Sequence, residues 1–368
     1  MSILIFIIVI VALIIVHEFG HFVAAKLSGM RVDEFGLGYP PRALTIAKIG
    51  ETSYTLNWLP FGGFVKIYGE DPSTPLGAGG SNPRAFSSKP RFAQAFVLVA
   101  GVAMNLLFAY MLITGALIMG TPRSLSQSEL ATARNTELMV ASVIPGTPAA
   151  LAGLLPGDSI MSAKDAAGEW HATDPKSFSA FIAESGGEAI ILEVKREGSE
   201  RVIIATPQEG VVANDPFRFA LGVEVATVGV VPLSLGVAIT EGAALTWGAT
   251  KLIAIGLGHF FYSVFTLSAD LSQVAGPIGI ASVVGAASGQ GLGNLLSIMA
   301  IISINLALIN LIPIPALDGG RLFFVCIESI IRRPIKASVA HAINAVGFVF
   351  LILLMLVVTA NDIFKIVR

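Results

Sequence analysis

The chain has one cysteine, Cys326, in 368 residues. An internal disulfide is therefore excluded, and so is a metal centre built on several thiolates. Charge is scarce as well. Asp, Glu, Lys and Arg make up 13% of the sequence, whereas soluble domains run nearer about 25%. A chain so poor in charge, 54% hydrophobic and with a mean hydropathy of +0.78, has the composition of an integral membrane protein. The formal net charge of −2 offers no basic surface, so nothing points to a nucleic-acid partner. No charged side chain precedes His17. Without a positive first segment, and with an apolar run continuing to Ala25, the N-terminus reads as a retained span rather than a cleaved leader.

What the chain does have, inside that uncharged run, is His17-Glu18-Phe19-Gly20-His21. On a helix, residues four apart share a face, so both imidazoles can address one metal ion. Glu18 stands where the general base of a metal-activated water belongs. Ile3–Ala25 is long enough to cross a hydrocarbon core of about 30 Å. His17 lies roughly 21 Å along it at 1.5 Å per residue, towards the second face.

The segment Lys26–Arg91 carries Lys26, Arg31, Arg42, Lys48, Lys66, Arg84, Lys89 and Arg91. By the positive-inside rule it is cytoplasmic and the N-terminus lies outside. Within it, Ala43–Ile49 and Thr52–Leu59 read as strands around Gly50-Glu51, and Phe61–Lys66 as a third extended piece. Two readings stand for this β-loop: a small surface hairpin, or a membrane-associated sheet edge that takes up an extended substrate. Asp71–Pro90, rich in Gly, Pro and Ser, reads as a flexible loop. Phe92–Met119 is a second span. Gly101 there permits close helix packing, and Asn105 serves either a helix–helix hydrogen bond or the site.

Thr121 to about Ala226 is polar and mixed, a soluble module. It contains a strand at Val140–Ile144 and a helix opened by Asp174-Pro175 and running to about Glu184. A hairpin follows, Ala189–Arg196 with Arg201–Thr206, turning at Glu197-Gly198. Leu233–Leu267 is apolar yet carries Glu241, Lys251 and His259. Were it a span, the next span would end a membrane thickness away from His17 and His21. It is therefore expected as an amphipathic helix against the outer face. Leu295–Leu317 is the third span and Ala340–Thr359 the fourth. The third ends in Asn310-Leu311-Ile312-Pro313-Ile314-Pro315-Ala316-Leu317-Asp318-Gly319-Gly320, where prolines and glycines break the helix.

A catalytic zinc takes three protein ligands and keeps one open position. His17 and His21 are two. Asp318 is the expected third, the only acid of the third span, on the same side of the membrane as the His pair. The expected organisation is 1–120, an N-terminal membrane core; 121–226, the soluble module; 227–294, a membrane-associated helix and linker; and 295–368, a C-terminal membrane core.

With these motifs in this order, the chain resembles the site-2 proteases, intramembrane zinc metalloproteases, of the bacterial regulator-of-sigma-E type. The residues that carry the likeness are His17–His21, Phe61-Gly62-Gly63-Phe64-Val65-Lys66, Gly101-x-x-x-Asn105 and Asn310-x-x-Pro313-x-Pro315-x-Leu317-Asp318-Gly319. The stretch Pro145–Asp158 resembles PDZ domains of bacterial proteases. The resemblance implies a polytopic α-helical membrane protein with four transmembrane helices, a membrane-associated β-loop and one extracytoplasmic PDZ-like β-barrel. It implies His17, His21 and Asp318 as Zn2+ ligands and Glu18 as catalytic acid and base. It implies Asn105, Asn310, Gly62, Gly63 and Phe64 as substrate-binding residues. The expected substrates are single-span membrane proteins, such as an anti-sigma factor or a remnant signal peptide, cut in the bacterial cytoplasmic membrane. The PDZ-like module is expected to contact the outer part of the substrate or to exclude bulky ones. Related proteases carry two tandem PDZ domains and this chain has room for one, so their gating does not carry over. A metal transporter or a PDZ-bearing scaffold are the competing classes. The first needs a continuous polar path and the second a degenerate site.

Overall fold

The computed structural model describes residues 2–70, 82–125, 129–130, 133–171, 173–196, 198–212, 215–266, 268, 275–333 and 335–367. Most of the expected loop at 71–90 and Glu197 of the expected turn lie outside that set. The chain divides into two compact units, Met1–Ile118 with Ser234–Arg368, and Met119–Leu233.

The first unit is helical. Its long apolar elements are α1 (Ser2–Leu27), α2 (Arg91–Met119), α7 (Leu292–Leu311) and α9 (Ala337–Val367). These four are long and apolar enough to cross a membrane. α1 and α2 approach closely because Gly20 presses on α2. A Cβ on Gly20 would lie 2.4 Å from the Ala100 carbonyl oxygen. Such small-residue contacts are how helices pack where lipid removes the hydrophobic drive.

The third span ends earlier than the sequence suggests. α7 stops at Leu311, and Asp318 opens a new helix, α8 (Asp318–Ile331). Pro313 and Pro315 lack the amides that a continuing helix needs, so Ile312–Leu317 forms a non-helical link. An acid in the first turn of α8 suits the positive end of its dipole.

The 31-residue helix α5 (Leu235–Phe265) covers the segment expected as an amphipathic helix, and it is not among the helices apolar enough to cross. It packs on α7 and touches α2 near Tyr110 and Thr114. Gly242 abuts Thr114, Tyr110 donates to the Ile239 carbonyl at 3.3 Å, and Ala249 and Ile253 pack on the Ala109, Leu112, Ala300 and Ile304 cluster. Its last turns, from Ala254 to Val264, share a cavity of about 910 Å³ with Leu308–Pro315 and α9. Not foreseen from the sequence is α6 (Pro277–Gly289), 13 residues and too short to cross, whose Val284 packs with Val9 and Leu13 of α1. Leu295 and Ile298 at the start of α7 join the same cluster as Ile5 and Phe6 of α1. α1 and α7 therefore run the same way, and the end of α7 arrives where His17 and His21 stand.

Between α1 and α2 lie two long strands, β1 (Val32–Ile49) and β2 (Thr52–Ile67). The expected third piece is the far end of β2. Both strands bend and pair twice. Val32–Leu37 pairs with Gly63–Ile67 on one side and with Ser53–Leu56 on the other, while Arg42–Ile49 folds back on Thr52–Asn57. Buried side chains tie the rows together: Thr52 Oγ1 donates to the Val32 carbonyl at 2.8 Å and Asn57 Nδ2 to the Gly38 carbonyl at 3.0 Å. Gly63–Ile67 is thus an outermost row.

The second unit is a mixed β structure. Its strands are β3 (Pro122–Ser124), β4 (Arg134–Val143), β5 (Ser159–Lys164), β6 (Glu169–Trp170), β7 (Ile190–Arg196), β8 (Ser199–Ala205) and β9 (Val223–Val230). Their order is β3-β9-β4-β5-β7-β8, with β6 beside β5. The expected barrel is not closed, because among the described residues β3 and β8 are not paired with each other. One-sided alternation explains why a sheet suffices. Ile190, Leu192 and Val194 are buried while Ile191, Glu193 and Lys195 are exposed. α4 (Pro175–Glu184) adds Phe178 and Ile182 to that core. Asp174 caps α4 as its sequence predicts, its side chain accepting from the Ser177 amide at 2.9 Å. A short helix, α3 (Pro148–Leu151), precedes the Gly-Asp turn.

That turn ends in Asp158, which is fully buried. Its carboxylate accepts from Arg196 Nε at 2.6 Å, Arg196 Nη2 at 2.7 Å and the Leu155 amide at 3.0 Å. Burial pushes the carboxyl up, yet the Arg196 guanidinium and the amide outweigh it and hold the group below the usual aspartate range.

Candidate metal centre

Four-residue spacing on α1 brings His17 and His21 onto one face, and α8 delivers Asp318 to it. Asp318 Oδ2 lies 2.9 Å from His17 Nε2 and 3.1 Å from His21 Nε2, and the two Nε2 atoms are 3.2 Å apart. The edge of a tetrahedral zinc site with bonds of 2.0–2.1 Å is about 3.3 Å. The three side chains can therefore hold a metal ion. Both histidines are buried and the Asp318 side chain is one-fifth exposed.

The outer hydrogen bonds test that fit. His21 Nδ1 sits 2.8 Å from the Val97 carbonyl oxygen, which only accepts. The hydrogen is therefore on Nδ1, and the Nε2 lone pair faces Asp318. His17 Nδ1 lies 3.2 Å from the Asn105 side-chain amide, and Asn105 Oδ1 is buried with no partner. Turning that amide over lets Oδ1 accept from His17 Nδ1–H and satisfies the orphaned oxygen. Both Nε2 lone pairs and a carboxylate then converge with no proton between them. A bound metal ion would satisfy such a set.

The helix surface leaves room for this and nothing more. A Cβ on Gly101 would lie 2.3 Å from His21 Nε2 and 2.8 Å from His17 Cε1. Gly101, expected to serve packing, also accommodates the imidazoles. Ser303 Oγ donates to the Asn105 carbonyl at 2.8 Å and fixes α2 to α7 behind them.

The other expected site residues gather here as well. Glu18, His21, Gly63, Phe64 and Asp318 line one cavity of about 280 Å³. A Cβ on Gly63 would meet Glu18 Cγ at 3.2 Å and Ile14 at 2.9 Å, so the outermost row of the sheet runs directly past the acid. Gly62 has φ +86° and lies flat against the Tyr39 ring. Asn310 Nδ2 is 3.4 Å from His17 Nε2. Asn105 is fully buried behind His17 and is not among the residues lining the cavity.

Three polar residues of the cavity were not foreseen: Tyr39, Glu70 and Arg321. Arg321 and Glu70 form an ion pair that links α8 to the segment after β2. Their signal was weak, since Arg321 follows Asp318 by three positions but nothing in the sequence names its partner. Burial pushes the Tyr39 hydroxyl up, with Glu18 adding to the effect, so it remains a hydrogen-bond donor at neutral pH.

The model of Peptidase family M50 matches residues 5–354. The chain belongs to that family. Its members include the site-2 proteases, and curated relatives span its whole length. It is 36% identical over 352 residues to "Putative zinc metalloprotease CPE1693" of Clostridium perfringens, covering 96% of this chain and 95% of that one. It is 28% identical over 441 residues to the zinc metalloprotease RasP of Geobacillus kaustophilus, covering 99% and 98%. A PDZ domain of an SdrC-like protein from Listeria monocytogenes aligns with 24% of this chain and 86% of its own, at 17% identity and a TM-score of 0.21. This M50 chain is a zinc metalloprotease, and its four apolar helices fit an enzyme of the membrane.

Proposed function

We propose that the chain cleaves peptide bonds inside the membrane-spanning segments of single-span proteins. The observation that carries this is the convergence of His17, His21 and Asp318 beside Glu18 and the outermost sheet row, all within a unit of apolar spans. His17, His21 and Asp318 are the zinc ligands. Zinc held there supplies Lewis acidity, acidifying water and polarising a peptide carbonyl. Glu18 takes the proton that water gives up and passes it to the leaving amine. Asn105 positions His17 from behind, and Asn310 stands beside His17 Nε2.

A peptide bond in a helix is shielded by its own hydrogen bonds, so the substrate must unwind. The Gly63–Ile67 row offers replacement partners: an extended substrate pairs with it and passes Glu18. Gly62, Gly63 and Phe64 shape that approach. The N-terminus and the β-rich unit lie outside a bacterial cytoplasmic membrane, and the site lies near its inner side. The β-rich unit acts as a PDZ-like module that meets or excludes the outer parts of substrates. Anti-sigma factors and remnant signal peptides are the substrate classes, by family resemblance. The expected division is a membrane core at 1–120 and 295–368, that module at 121–226, and a connecting helix and linker at 227–294.

The test uses purified protein and a single-span reporter in liposomes. Glu18→Gln should keep its zinc while cleavage falls about 10²- to 10⁴-fold. Retained cleavage would overturn the mechanism. A product mapped outside the reporter's span would overturn the intramembrane assignment.

A further inference from the structure

Ala316 stands two residues before Asp318 with φ of +77°. That left-handed conformation crowds the Cβ of an alanine, and it persists only where the surroundings impose it. The surroundings here come from two directions. From below, α8 presses on the link: a Cβ on Gly319 would lie 2.3 Å from the Ile312 carbonyl oxygen, and one on Gly320 at 2.3 Å from that of Ile314. From the side, α9 docks on it. Asn344 Oδ1 accepts from the Ala316 amide at 3.3 Å, and Gly347, one turn on, has no room for a Cβ against Pro315.

The strained turn, its hydrogen bond and the metal-facing carboxylate thus lie within three residues of one another. We infer that Asn344 is a positioning residue for Asp318. It holds the link in its left-handed turn and so aims the carboxylate at His17 and His21, which makes α9 part of the metal site without touching it. This rests on Asp318 being a metal ligand.

Zinc affinity, read by competition with a chromophoric chelator on the full chain, tests it. Asn344→Leu removes the acceptor and leaves α9 more apolar, so its insertion is not at risk. It should bind zinc about tenfold more weakly, within the range known for outer partners of metal ligands. Asn344→Asp keeps the acceptor and should stay within about twofold of the parent. Glycine reaches positive φ unaided. In an Ala316→Gly background the loss from Asn344→Leu should therefore shrink to about twofold or less. Parental affinity in Asn344→Leu, or an undiminished loss in the Ala316→Gly background, would overturn the positioning role. Asp318→Ala separates the two layers: zinc retained by that variant overturns the ligand assignment instead.

Discussion

Asp158 and Asp318 are both carboxylates set into a folded unit, and their company differs. Asp158 is enclosed by a guanidinium and a backbone amide, so every charge at that site is answered by the protein. Asp318 meets two imidazoles, each steered by an outer hydrogen bond to present a lone pair. One cluster is electrostatically complete and structural. The other is short of a positive charge and could hold a metal ion. Completeness within the chain, rather than burial, separates a buried ion pair from a ligand set.

The sharpest way to break that contrast is to remove the acid on each side. Asp318→Ala should abolish stoichiometric zinc and lower cleavage by about 10³-fold or more, while leaving the fold of the β-rich unit intact. Metal analysis and circular dichroism read the two outcomes. Asp158→Ala should do the reverse. It removes the carboxylate that answers the Arg196 charge and should cost the β-rich unit about 3 kcal/mol in denaturant unfolding, with zinc content unchanged. Loss of zinc from Asp158→Ala would erase the distinction. A subtler cut is Asn105→Ala, which leaves all three ligands and removes only the partner of His17. Zinc affinity should fall about 10- to 100-fold.

The smallest effect is one of pH. The carboxyl of Asp158 is held below its ordinary value in the folded unit. Its contribution is therefore present in full above the unfolded value near about 3.9 and is lost as pH falls through the lower folded value. Thermal melts of the β-rich unit should lose stability in that window. The Asp158→Ala variant should show less of the loss, because it has no such group to protonate.

The gathering of His17, His21 and Asp318 was legible because its parts are local words. His17–His21 is one helical turn, Asn105 lies four residues after Gly101, and Asp318 is marked by the prolines and glycines that break the chain around it. The Asp174 cap was legible for the same reason. What escaped depends on pairing across long separations. Arg196 finds Asp158 across 38 positions, Asn344 finds Ala316 across 28, and β1 and β2 bend so that each pairs twice. None of these leaves a period in the sequence. The short helix α6 escaped because topology was counted in whole crossings, and α6 is a fraction of one.

The His–His–Asp set has a final consequence, in time rather than space. Its third member lies 297 residues after His21. At about 5–20 residues per second, a ribosome needs roughly 15–60 s to travel that distance. Through that interval α1 is already made, yet the acid that completes the metal set does not exist. The His–His–Asp set stays incomplete until most of the chain has been made.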